Sequence, residues 1–165
     1  MGIVLHRLTS TPLIEIYSDA DFAGLADSHS VGGFLCKYHG CVVTWVSKKQ
    51  PQIALSTTES ESMALLPGAK HALWIRHFLQ ELDLPFTAPI HIYCDNMQTI
   101  SNLRDTSHHP RTKHFHVEGH WLWELVDHGD AEITYVKSTD NVADILTKAL
   151  PLAQHEFLSH KLGML

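Results

Sequence analysis

Four acidic residues stand at points where the chain passes from one predicted secondary-structure element to the next. They are Asp19 at the end of the run IEIYSD, Glu61 at the opening of a predicted helix, Asp95 at the end of IHIYCD, and Asp144 in the segment NVADILTKAL. Carboxylates from two strand ends and two helices can converge, and clustered carboxylates stay ionised only beside a cation. Because hard oxygen ligands suit Mg²⁺ or Mn²⁺, the sequence predicts a carboxylate metal site.

The charge of the chain limits how it can bind a polyanion. The sequence of 165 residues has 12 Lys and Arg against 18 Asp and Glu, a formal net charge of −6. Affinity for nucleic acid comes largely from neutralising phosphates, so a nucleic-acid ligand should bind weakly and with strong salt dependence. The 14 histidines add a dependence on pH near their ordinary pKa of about 6.5.

Length and hydropathy favour one compact domain. A chain of 165 residues lies within the usual single-domain range. No apolar run approaches the roughly 18 residues that a membrane span needs, and the first residues lack the apolar core of a secretory signal. We therefore expect an intracellular protein without a membrane partner.

The pattern of elements that must position the four acids begins with three short strands. Alternating or β-branched residues predict strands at 13–17, 31–38 and 41–46, and His39-Gly40 predicts a hairpin turn between the last two. Helices and strands then alternate, as 56–66 (helix), 69–82 (helix), 90–94 (strand), 96–103 (helix), 115–126 (helix), 131–136 (strand), a helix around Asp144, and a terminal helix from Pro151. This order predicts an α/β fold whose mixed sheet has helices on its faces.

Three boundaries in that pattern depend on particular residues. Ser56 and Glu59 have the spacing of a capping box, which predicts a helix start. Pro67-Gly68 predicts that this helix stops and that a second one follows. Thr139 or Asp140 is the predicted cap of the helix that holds Asp144.

Five segments together resemble one family. YSDADFAG, SKKQPQIALSTTESESMAL, IYCDN, RTKH and YVKSTDNVADILTKALP occur in this order, and over residues 15–163 they are similar to the ribonuclease H domain of copia-type (Pseudoviridae) LTR retrotransposon Pol polyproteins. The resemblance implies the ribonuclease-H-like α/β fold, with a mixed five-stranded sheet and helices on both faces. It assigns residues 14–165 to the ribonuclease H domain and residues 1–13 to the tail of the reverse-transcriptase connection.

The resemblance also implies a catalytic site. It assigns the catalytic and metal-binding roles to Asp19, Glu61, Asp95 and Asp144, and its E-x-x-A motif selects Glu61 over Glu59. The implied reaction is endonucleolytic hydrolysis of the RNA strand of RNA–DNA hybrids by two Mg²⁺ ions, for which Mn²⁺ can substitute. Asp19 would bridge both ions, Asp144 would complete the water-side ion, and Glu61 and Asp95 would hold the leaving-group ion.

A second set of residues is predicted to contact the substrate. It comprises Ser56, Thr57, Thr58, Asn96, Gln98, Arg111, Lys113 and His114. Hydroxyls and backbone amides at a helix start can bind a phosphate, and simple capping is the alternative for residues 56–58. The cationic region at 108–120 can meet DNA phosphates, and a solvated loop and helix face is its alternative.

Several residues differ from the family pattern or allow another interpretation. Asp21 shares a strand face with Asp19 and is an alternative ligand. Residues 137–142 lack the histidine that cellular ribonucleases H carry before the last aspartate, and Met97 stands where the family often has glutamine. The implied partners are the RNA–DNA hybrid and the reverse-transcriptase domain of the same polyprotein, in cytoplasmic virus-like particles or the nucleus. A non-catalytic module that binds a polymerase, and a different two-metal nuclease of the same fold, are the alternatives.

Overall fold

The computed structural model describes residues 14–84, 88–104 and 113–164, with the side chains of 113–118 left out. Its elements are β1 (Ile14–Asp21), β2 (Val31–Tyr38), β3 (Cys41–Lys49), α1 (Thr57–Glu81), β4 (Ile90–Cys94), α2 (Met97–Arg104), α3 (Lys113–Asp127), β5 (Ala131–Tyr135), two 3₁₀ turns (Ser138–Asp140 and Val142–Leu146) and α4 (Leu152–Lys161). The predicted connection tail at 1–13 lies outside the described residues. Of the described helices, none combines the length and apolarity that crossing a membrane requires.

The five strands form one mixed sheet in the order β3-β2-β1-β4-β5. The first three strands are antiparallel, whereas β4 runs parallel to β1 and β5 runs parallel to β4. This topology confirms the predicted mixed five-stranded sheet. Because β1 and β4 are parallel neighbours, their carboxyl ends meet at one edge of the sheet, and Asp19 and Asp95 therefore lie at the same edge.

Helices cover both faces of the sheet, as predicted. On one face, α1 packs on β1 and β2 and also contacts α2 and α3. This layer contains the main hydrophobic core, to which β1, α1 and β4 contribute the fully buried Ile16, Leu65 and Ile92. A smaller core lies on the other face, where Leu35 packs with Val142 and with Leu158 of α4. The second 3₁₀ turn therefore rests on the sheet rather than in solvent.

The prediction that Pro67-Gly68 ends a helix is wrong, because α1 runs without interruption from Thr57 to Glu81. Pro67 is exposed, while Gly68 is buried against the sheet. A Cβ atom on Gly68 would lie 2.9 Å from Ile16 Cγ2 and 3.2 Å from Phe34 Cβ. The glycine therefore allows a close approach of helix and sheet, and the apolar burial along α1 outweighs the local cost of a proline.

The predicted helix around Asp144 is also wrong in type and in its cap. Asp144 lies in the 3₁₀ turn Val142–Leu146, and Asn141 is the residue whose side chain accepts the Ala143 N–H at 3.2 Å. Asp140 instead pairs with Lys161 of α4. Asn141 is fully buried, so its side chain is held in place by the protein interior.

Candidate active site

The structure brings the four predicted carboxylates together at the edge where β1 and β4 end. One oxygen atom from each of Asp19, Asp95 and Asp144 lies within 4.8 Å of the others. Within the same limit, a carboxylate oxygen of Glu61 and one of Asp95 lie close to Cys94 Sγ. Asp95 is shared by both groups, so the four acids form a single cluster, which is named the carboxylate cluster below.

Gly33 explains how a segment far along the chain reaches this edge. It is the residue of β2 that pairs with Asp19 of β1. A Cβ atom at Gly33 would lie 2.9 Å from Leu146 Cβ and 3.0 Å from Thr147 Cγ2. The missing side chain therefore lets the second 3₁₀ turn and the residues after it lie directly on the sheet, beside Asp19.

That turn delivers two partners of Asp19 that the sequence analysis missed. The Thr147 hydroxyl donates to Asp19 Oδ2. Lys148 Nζ donates to Asp19 Oδ1 at 2.8 Å and to Asp144 Oδ1 at 3.2 Å. Thr147 and Lys148 stand three and four positions after Asp144, which is one turn of chain, and this spacing was the available signal.

Glu61 is the buried carboxylate that α1 contributes to the cluster. Its side chain is 6% exposed, and its Oε2 has no hydrogen-bond partner among the described residues. The Ala20 amide bonds to the carboxyl group, but burial and the nearby charges of Asp19 and Asp95 raise its pKa to about 9. Without a cation, Glu61 is therefore protonated at neutral pH.

The carboxyl pKa of Asp144 is also raised, but by less than that of Glu61. Burial and the Asp19 charge raise its pKa to about 6, although Lys148 acts in the opposite direction. Burial alone would lower the pKa of Lys148, yet its bonds to Asp19 and the nearby Asp144 charge raise it above its ordinary value. The cluster therefore has more negative charge than its protein surroundings balance. An unpartnered buried oxygen and hard carboxylate donors fit a divalent ion of the Mg²⁺ class.

Glu59, the alternative glutamate, has a different role. Its backbone N–H donates to the Ser56 hydroxyl at 3.2 Å, and its Oε2 accepts the Leu55 N–H at 2.7 Å. The predicted Ser56 cap is thus confirmed, with Leu55 rather than Ser56 as the amide that Glu59 binds. Glu59 belongs to the helix start, whereas Glu61 faces the aspartates.

Two further neighbours of Asp95 were not predicted. The Ser138 hydroxyl donates to Asp95 Oδ2 at 2.7 Å. Cys94 is fully buried, and burial raises its pKa to about 12. Asp21, the alternative ligand, belongs to neither group of converging donors among the described residues.

The structure describes some of the predicted substrate-binding residues but not all of them. Asn96 accepts the Thr99 N–H at 2.9 Å and so caps α2, while Gln98 donates to Asn102 at 2.8 Å on the exposed side of that helix. Thr57 is the first residue of α1, and the Thr58 carbonyl accepts from Ser62 at 2.8 Å. Arg111 and the side chains of Lys113 and His114 lie outside the described residues.

Comparison with known proteins finds retrovirus-related Pol polyproteins of plant transposons. The chain is 37% identical over 156 residues to the polyprotein from transposon TNT 1-94 of Nicotiana tabacum, which covers 94% of this chain and 12% of the polyprotein. It is 32% identical over 165 residues to that from transposon RE2 of Arabidopsis thaliana, with 99% and 11% covered. The chain thus spans only about a tenth of the length of these relatives.

Solved structures of similar fold are ribonuclease H domains. LC11-RNase H1, isolated from compost, matches with a TM-score of 0.60 and 13% identity over 81% of this chain and 91% of that one. The same enzyme in complex with an RNA/DNA hybrid matches with a TM-score of 0.55 and 13% identity, covering 81% of this chain and 93% of that one. No protein-family model matches the chain. At this identity the structural likeness concerns the fold.

Proposed function

The chain is a ribonuclease-H-like domain related to the retrovirus-related Pol polyproteins of plant transposons, and we propose that it hydrolyses the RNA strand of RNA–DNA hybrids with bound Mg²⁺. The observation that carries this proposal is the carboxylate cluster. Its four acids come from β1, α1, the end of β4 and a 3₁₀ turn, and one of them has an unpartnered buried oxygen. A purely structural role would not require so much uncompensated charge in one place.

The residues at this site would have two roles, to bind the metal ions and to orient the ligands. Asp19, Glu61, Asp95 and Asp144 are the proposed ligands, and Mn²⁺ would substitute for Mg²⁺. Bound divalent ions would activate a water molecule and neutralise charge that develops on the phosphate and the leaving oxygen. The Thr147 hydroxyl donates to one oxygen of Asp19 and the Ser138 hydroxyl to one oxygen of Asp95, and these bonds would orient the two carboxylates.

Two observations support an RNA–DNA hybrid as the proposed substrate. The chain shares its fold with solved ribonuclease H structures, and its sequence is similar to retrovirus-related Pol polyproteins. LC11-RNase H1 has been solved with an RNA/DNA hybrid. Recognition of such a duplex would depend on its shape and on 2′-hydroxyl groups rather than on base sequence. We include Ser56, Thr57, Thr58, Asn96, Gln98, Arg111, Lys113 and His114 as proposed contacts, with capping the demonstrated role of Ser56 and Asn96.

We also propose that the domain works beside a reverse transcriptase of the copia type inside the cell, in a virus-like particle. A net charge of −6 gives the isolated domain little attraction for phosphate. A polymerase joined to it would provide most of the affinity for the hybrid. If so, a longer polyprotein segment that includes the polymerase should bind a hybrid much more tightly than the domain does. Equal affinity of the two would contradict this part of the proposal.

The test is cleavage of an end-labelled RNA–DNA hybrid in Mg²⁺, Mn²⁺ or EDTA, beside RNA duplex and DNA duplex. Asp95→Asn should abolish cleavage. Asp130→Asn is the matched control, because Asp130 pairs with Arg76 just before β5, at the opposite end of the sheet. Metal-dependent cutting of the hybrid's RNA alone is expected. Cleavage of DNA instead would indicate another two-metal nuclease, and no cutting by the folded domain, alone or joined to its polymerase, would indicate a binding module.

A further inference from the structure

Lys148 occupies an unusual position for a lysine beside a predicted metal site. Its Nζ contacts one oxygen of Asp19 and one of Asp144, at 2.8 and 3.2 Å. Asp19 is fully buried and Asp144 is 6% exposed, so the ammonium group is the nearest positive charge that these two carboxylates have among the described residues. Lys148 itself remains 32% exposed at its side chain.

The same two carboxylates belong to one of the converging donor groups. Asp19, Asp95 and Asp144 present oxygens within 4.8 Å of one another. A divalent ion held by Asp19 and Asp144 would lie against the ammonium group, and like charges in direct contact repel each other. Lys148 and a divalent ion therefore compete for the same oxygens of Asp19 and Asp144. The partial exposure and the flexible four-carbon stem of Lys148 give it a path into solvent.

We propose that Lys148 is an exchangeable internal cation. It neutralises Asp19 and Asp144 in the metal-free domain, and it leaves them when a divalent ion binds. This inference rests on the proposed function only in taking the carboxylate cluster as the metal site. It has two consequences, since the lysine stabilises the fold without metal and weakens the affinity for metal by competing for the same oxygens.

The test measures Mn²⁺ binding by the folded domain without any nucleic acid, through the electron paramagnetic resonance signal of free Mn²⁺. Lys148→Met keeps much of the apolar stem and removes the charge. We expect it to bind Mn²⁺ about tenfold more tightly than the unchanged chain, or tighter still. Lys148→Arg keeps the charge and should leave the affinity weak.

Thermal unfolding supplies the second readout. In EDTA, Lys148→Met should unfold at a lower temperature, because two buried carboxylates lose their counter-ion, and saturating Mn²⁺ should raise its unfolding temperature by more than it raises that of the unchanged chain. Arg76→Met is the matched control, since Arg76 is also a largely buried cation bonded to an aspartate, 2.8 Å from Asp130 Oδ1. It should lower stability without changing Mn²⁺ affinity.

Failure of this inference is distinct from failure of the proposed function. Equal or weaker Mn²⁺ binding by Lys148→Met would overturn the exchange, because a lysine that helps to hold the ion, or ignores it, gives that result. If Lys148→Met does not fold, Lys148→Gln replaces it under the same criterion. A domain that cleaves no hybrid, yet gains Mn²⁺ affinity on loss of Lys148, would support the exchange and contradict the nuclease.

Discussion

The side-chain amide of Asn141 donates a hydrogen bond of 2.9 Å to the backbone carbonyl of Ser18, 123 positions earlier in the chain. Both residues are fully buried. The other end of the same amide group accepts the Ala143 N–H at 3.2 Å. One side chain therefore joins β1, just before Asp19, to the turn that carries Asp144.

Asn141→Ala should unfold more easily and bind metal more weakly. It leaves a buried carbonyl and a buried amide without partners, which costs about 2–3 kcal/mol. Guanidinium unfolding measures the loss, and Mn²⁺ titration measures the disturbed spacing of Asp19 and Asp144. Asn102→Ala is the control, because Asn102 is exposed and accepts a hydrogen bond from the exposed Gln98, so its effect should stay within about 0.5 kcal/mol. Equal effects of the two substitutions would show that the buried bond does not hold the turn.

Gly68→Ala should destabilise the domain by about 1–3 kcal/mol, although alanine is the better helix former. The new Cβ would lie 2.9 Å from Ile16 Cγ2, inside the tight contact of α1 with the sheet. Gly119→Ala in α3 is a matched control, because no atom of the described residues lies within 4 Å of its added Cβ. It should stabilise by up to about 1 kcal/mol. Urea unfolding compares the two, and stabilisation by both would mean that α1 can move off the sheet freely.

The carboxylates of the cluster and their hydrogen-bond partners differ in how far the sequence predicted their positions. Asp19 and Asp95 follow strand-like runs, and parallel neighbours end at the same edge, so their proximity follows from local patterns. The contacts of Thr147 and Lys148 with Asp19 span 128 and 129 positions. Their spacing from Asp144 was a local signal, but the contacts also depend on the close packing that Gly33 permits, and that packing is not readable from the spacing.

The continuity of α1 has the same explanation. Proline and glycine have strong local preferences, and those preferences predicted a break. Burial of one helix face on the sheet exceeds them, with the exposed Pro67 facing away and Gly68 facing inward. Tertiary packing, rather than propensity, therefore sets the length of this helix.

Stability in EDTA should fall as pH rises from 7 to 9, because of Glu61. Its carboxyl pKa is raised from 4.5 in the ordinary case to about 9, mainly by burial. Between those values the folded state holds a proton that the unfolded chain has lost. Each pH unit in this window therefore costs up to about 1.4 kcal/mol, and the stabilising effect of the proton is lost as pH passes through the folded pKa.

Glu61→Gln should remove most of that slope and stabilise the metal-free domain at pH 8 by about 0.5–2 kcal/mol. Denaturant unfolding at several pH values measures both effects. Glu59→Gln is the control, since Glu59 belongs to the helix start and accepts the Leu55 N–H. A slope that survives Glu61→Gln, or disappears in Glu59→Gln, would show that Glu61 is not the group that titrates.

Hybrid binding by the isolated domain should be weak and should fall steeply with salt. A protein of net charge −6 gains affinity only from a few local phosphate contacts. For roughly four such contacts, raising salt from about 50 to about 200 mM should weaken binding by about 100-fold. Fluorescence anisotropy with Asp95→Asn, which prevents cleavage, measures the slope. Arg111→Ala and Lys113→Ala should each reduce the slope of log affinity against log salt concentration by about one. Lys70→Ala, on the exposed side of α1, should leave that slope unchanged. Salt-independent binding would mean that the hybrid is held by something other than its phosphates.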